Sequence, residues 1–123
     1  MANAKLVRGE EVRVRQASNK AYYMKLNVIV KLREYALTAK GNLVTVRPSK
    51  IAQEINHVGR ITRADGVIIR NFLEQLVEVG YMEIIKRSAR GKVYGFRRNS
   101  EFWNMLITKE PREIVESIEM LFR

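Results

Sequence analysis

The 123-residue chain contains no cysteine and a single histidine, His57. Without cysteine there are no disulfides, no thiol catalysis and no cysteine-based zinc site. One histidine excludes His-rich metal sites and any triad with a spare base. No charge-free apolar run approaches the roughly 18 residues needed to span a bilayer. The opening MANAKLVRGEEVRVRQ has no apolar signal core and carries Glu10 and Glu11, so the chain reads as cytoplasmic. Acidic side chains are scarce too. Twenty-three Lys and Arg stand against thirteen Asp and Glu, a net charge of +10.

Such an excess on so short a chain is the electrostatic signature of a polyanion binder, nucleic acid first and anionic membrane second. The chain suits one compact domain. Apolar residues make up 46% of it and recur in periodic segments, which argues for a folded core rather than disorder. The absence of cysteine and the 29% charged content suit a thermophile. Adjacent acids such as Glu10 and Glu11 lack a nucleophilic partner, so the expectation is a protein that is not an enzyme and uses neither cofactor nor metal.

Residues 1–17 are polar and basic, and the alternation in 12–16 allows a short strand as readily as a basic arm. From 18 to 40 a helical pattern runs to the stop Gly41-Asn42, with Tyr22, Leu26, Ile29, Val30, Arg33 and Leu37 on one face. Tyr23, Val28, Leu32 and Tyr35 add apolar surface elsewhere. Leu43 to Val46 is β-branched and reads as a strand or extended link. Pro48 opens a helix that places Ile51, Ala52 and Ile55 together. The Thr62-x-x-Asp65 pattern then starts a helix with Ile69, Phe72, Leu73, Leu76 and Val77 inward and Gly80 as its stop. Residues 81–86 and 93–97 read as two strands around a turn at 87–92. Asn99 or Ser100 caps a helix with Phe102, Trp103, Leu106 and Ile107. After Pro111 comes a last helix with Ile114, Val115, Ile118, Leu121 and Phe122.

This order resembles the winged helix-turn-helix family of small archaeal and bacterial transcription regulators. Carrying the resemblance are Pro48-Ser49-Lys50-Ile51-Ala52, the turn Val58-Gly59, the cap Thr62 and Leu73-x-x-Leu76-x-x-x-Gly80-Tyr81. One departure is Arg47, which stands where a small capping residue usually precedes the proline. The implied fold is mostly α with a small β-hairpin, a long N-terminal helix and a C-terminal helical extension. The implied organisation is a basic arm at 1–17, the winged domain at 18–98 and C-terminal helices at 99–123.

The resemblance implies double-stranded DNA binding, by a transcription regulator or a chromatin-associated protein of the nucleoid. The helix from Arg63 would enter a major groove, offering Arg63, Gly66, Arg70 and Asn71, with Arg60 and Thr62 at its start. Arg pairs with guanine and Asn with adenine through two hydrogen bonds each. Gly66 either lets a nucleic acid approach closely or lets helices pack closely. Between 81 and 100 the cations Lys86, Arg87, Arg90, Lys92, Arg97 and Arg98 face Glu83 alone, a net +5. The wing thus looks like the main phosphate contact. The helix from 63 to 80 carries −1 and residues 101–123 carry −2.

Apolar surface on 18–40 and on the C-terminal helices points to a homodimer, or else to a tail folded back on its own chain. Tyr94 and Phe96 are core aromatics or base-stacking platforms. Two other functions fit the same pattern. One is a ribosome-associated, RNA-binding winged helix; the other is a protein-interaction winged helix in a larger complex.

Overall fold

A computed structural model of the protein describes the backbone of residues 2–55 and 62–122, and the side chains of 20–55 and 62–122. His57, Val58, Gly59 and Arg60, four residues singled out above, lie outside the described residues.

Helix α1 (Ala2–Thr38) is followed by strand β1 (Leu43–Val46), α2 (Pro48–Ile55), α3 (Arg63–Glu78), β2 (Glu83–Ser88), β3 (Gly91–Arg97), α4 (Glu101–Thr108) and α5 (Pro111–Leu121). The described chain is mostly helical, with one small antiparallel sheet. Residues 2–17 are helical rather than a strand or an arm. That stretch has no proline, one glycine and many strong helix formers, and it runs on into a helix already anchored by packing. At 37 residues, α1 is about 55 Å long at 1.5 Å per residue.

The buried side of α1 differs from the expected one. Met24, Val28, Leu32 and Ala36 form the packed row with Ile29, while Val30 and Leu37 face outward. Apolar residues occupy two sides of this helix. The side chosen is the one that α2, α3, α4 and α5 meet together.

The sheet has the order β1-β3-β2, so the expected isolated strand is paired along its length, from Leu43 opposite Arg97 to Val46 opposite Tyr94. The hairpin turn is tighter than 87–92. Arg87 pairs with Lys92 and Ser88 with Gly91, which leaves Ala89 and Arg90 as the tip. Gly91 takes φ +112, a left-handed conformation that glycine adopts without strain. Polar side chains at 87 and 88 resemble loop composition, yet on an exposed hairpin they face solvent from paired strands.

Ile69, Phe72, Leu73 and Leu76 of α3 pack with Ile51 and Ile55 of α2 in one core with α1 and β3. Tyr94 and Phe96 are buried in that core, which removes both as stacking platforms. Phe96 meets Phe102 and Trp103 edge-on, each at 5.3 Å between ring centres, and Tyr81 stacks on Phe102 at 5.5 Å. The C-terminal helices fold back on the same chain. Ile114, Val115 and Ile118 of α5 are fully buried, α5 packs against α1, and Lys25 reaches Glu119 at 3.2 Å. Their apolar stripe therefore packs into the core of this chain. Leu121 and Phe122, expected inward, stay exposed past the last packed turn.

Candidate nucleic-acid interface

The start of α3 is tied down by a reciprocal cap. The Thr62 hydroxyl accepts from the Asp65 backbone N–H at 3.2 Å, and the Asp65 carboxylate accepts from the Thr62 N–H at 3.0 Å. Two of the free donors at the helix start are satisfied this way. Asp65 is buried, and its second oxygen faces Lys20 of α1 at 3.4 Å. The Thr62 backbone donor holds the Asp65 carboxyl below its ordinary range, and the Lys20 ammonium adds to this against the opposing effect of burial. The N-terminal turn of α3 is thus fixed both to itself and to α1.

With its register set, α3 turns Ile69, Phe72, Leu73 and Leu76 into the core and leaves Arg63, Gly66, Val67, Arg70, Asn71 and Glu74 on the outer face. Spacings of three and four residues put these six in one row along the helix. They line a groove of about 840 Å³ whose other walls are Arg47, Pro48, Ser49 and Ala52 on one side and Arg90, Gly91, Lys92 and Tyr94 on the other. Five cations from three elements (Arg47, Arg63, Arg70, Arg90 and Lys92) therefore converge on one concavity.

Glu74 is the one carboxylate among the residues lining the groove, and it is already committed. It accepts from Lys92 Nζ at 3.1 Å and from the buried Tyr94 hydroxyl. The Tyr94 donor holds Glu74 below its ordinary range, with Lys92 and Arg87 helping. The same contact, after burial, pushes the Tyr94 hydroxyl well up. The pair fastens the hairpin to α3.

Of the residues expected at the interface, the structure brings together Arg63, Gly66, Arg70, Asn71, Arg90 and Lys92. Thr62 stands just before them, its hydroxyl used in the cap. Lys86 and Arg87 are exposed on β2, outside the groove lining.

Arg97 and Arg98 are engaged elsewhere, at the opposite end of β3. Arg97 grips Glu83 with two hydrogen bonds at 3.1 and 3.2 Å. Arg98 donates to the carbonyls of Ala39 and Gly41, just past the end of α1, and lies over the Trp103 ring at 4.7 Å. Both arginines belong to the scaffold. The carbonyls that Arg98 grips lie 57 and 59 residues away, beyond the reach of a local reading, whereas Glu83 falls within the same 81–100 window as Arg97.

Arg47 lines the groove as well, a cation whose signal in the sequence is its departure from the small residue that usually precedes the proline.

Among the described residues no cluster of three or more His, Cys, Asp or Glu is placed to hold a metal ion, and no helix is long and apolar enough to cross a membrane. Comparison of the chain with family models, curated proteins and solved structures returns no match.

Proposed function

We propose that this protein binds double-stranded DNA as a winged helix, acting as a transcription regulator or chromatin-associated protein of the nucleoid. In this reading α2 and α3 form the helix-turn-helix pair, α3 is the recognition helix and the β2–β3 hairpin is the wing. The outer face of α3 supplies Arg63, Arg70 and Asn71 to base edges, whose donor and acceptor patterns in the major groove suit these side chains. Arg90 at the hairpin tip, Lys92 beside it and Arg47 opposite supply phosphate contacts. One observation carries the proposal: Arg63 and Arg70 of α3, Arg90 at the hairpin tip and Arg47 at the β1–α2 junction meet in one groove whose single carboxylate, Glu74, is paired with Lys92.

Phosphate contacts release counterions, so affinity for duplex DNA falls with salt at a slope of about −0.9 per phosphate neutralised. Binding is measured on duplex DNA and structured RNA at two salt concentrations, for the wild type and for Arg90→Ala/Lys92→Ala. The expected outcome is tighter binding of duplex than of RNA, with the double variant weakened and its slope shallower by about one to two. No duplex binding at low salt would sink the proposal. Preference for structured RNA would replace it with the RNA-binding reading.

A further inference from the structure

The cations of the groove are not equally free. Lys92 is bonded to Glu74, which also accepts from Tyr94. Arg63 and Arg70 are exposed on α3, and neither makes a hydrogen bond or an ion pair within the described residues. A guanidinium held by no partner keeps its whole fork of donors for a ligand.

The spacing of these two arginines is fixed by the helix. Seven residues apart, they fall within about 20° of one another around the axis and about 10.5 Å apart along it. Both Cα–Cβ bonds tilt toward the helix start, so the spacing carries out into the side chains. Between them on the same line stands Val67, itself exposed. One turn beyond Arg70 the line reaches Glu74, where Lys92 brings the hairpin against α3. Ahead of the hairpin, the free charge on this line is therefore one pair of guanidinium groups.

Resting on the duplex-DNA reading, we propose that Arg63 and Arg70 act as a two-point ruler that selects duplexes carrying two guanines about three base pairs apart, one for each guanidinium. Successive base pairs of B-DNA rise about 3.4 Å, so a 10.5 Å spacing along α3 covers about three steps when the helix lies along the groove. Guanine offers O6 and N7 side by side on its major-groove edge, and the arginine fork matches both acceptors at once. Arg47 and Arg90 come from other elements and take phosphates, so affinity and base selection are carried by different residues.

Full-length protein is first presented with duplex DNA of randomised sequence, and the bound fraction is sequenced. Enriched sites are expected to share two guanines, on either strand, about three steps apart. Changing either G·C pair of such a site to A·T is expected to weaken binding about five-fold to a hundred-fold, the range of one bidentate contact. In Arg63→Ala the change at one of the two positions has no further effect, while the other position keeps its full effect. Arg70→Ala gives the converse, a pairwise coupling that only direct contact produces. Both variants should melt at the wild-type temperature, because neither side chain has a partner in the fold. Arg90→Ala/Lys92→Ala weakens every duplex and keeps the preference for the guanine pair. Enrichment of no guanine pair, or of guanines at a different spacing, overturns the inference and leaves the DNA reading standing. Uniform weakening of all duplexes by Arg63→Ala and Arg70→Ala does the same, since it makes both arginines phosphate contacts. Failure to bind any duplex overturns the DNA reading and the ruler with it.

Discussion

Asp65 is the residue on which the orientation of α3 turns. Its carboxylate is buried, yet it accepts from the Thr62 backbone and faces Lys20, so its ionised form is favoured in the fold and its acidity exceeds that of an exposed aspartate. The direction of the pH effect follows. A group whose folded pKa is depressed stabilises the protein while pH is above the unfolded value, and that stability is lost as pH falls through the folded value. Asp65→Asn keeps the shape and removes the charge. It is expected to cost about 1–2 kcal/mol at neutral pH, the size of a lost charge-assisted cap. Melting temperature as a function of pH checks this. The deficit of the variant should be constant at neutral pH and shrink as pH drops below about 4, the ordinary carboxylate range. A deficit that persists unchanged in acid would mean that the charge is not what matters.

At the scale of elements, the groove depends on how the hairpin sits, and the hairpin depends on Gly95. Its position is the middle of the central strand, beside a bulge at Ile85 where the register of β2 against β3 shifts. A Cβ at Gly95 would lie 2.7 Å from Ile85 Cγ1 and 2.9 Å from the Val44 carbonyl oxygen, so one edge strand must move to admit it. Gly95→Ala should destabilise the fold by about 1–3 kcal/mol, as overpacking does. Urea unfolding should show a lower midpoint at an unchanged slope. Lys92 and Arg90 travel with the displaced hairpin, so duplex affinity should fall as well.

None of this was visible in the period-two alternation that located the hairpin. The pairing of β1 with β3 is set by partners distant in the chain. What the sequence did display was local: the Thr62-Asp65 cap, the Ser100 cap, the inner row of α3 and its outward counterpart with Arg63, Arg70 and Asn71. Non-local contacts hid the rest. Two apolar sides on α1 leave its packed face undecided, and Arg98 reads as free charge although the carbonyls it grips lie 57 and 59 residues away.

At the scale of the molecule α1 is the spine, the helix that touches α2, α3, α4 and α5. The cationic groove is built on one part of this spine, and the net-acidic C-terminal helices cover another. Ile114, Val115 and Ile118 are each fully buried there. At about 1.5–3 kcal/mol for each such side chain, they contribute on the order of 5 kcal/mol or more. Domains of this size have a net stability of only about 5–15 kcal/mol, so α5 is a structural requirement rather than an appendage. A chain ending at Lys109 should therefore lose its cooperative thermal transition and expose the apolar surface of α1 that α5 covers, with aggregation as the consequence. The opposite role, a separable dimerisation module, demands a different result: the shortened chain would melt cooperatively and sediment as a well-behaved monomer. Thermal melting combined with sedimentation separates the two. Loss of the transition is expected, because α5 packs on the same spine that carries α3, and Lys20 of that spine holds Asp65 in place.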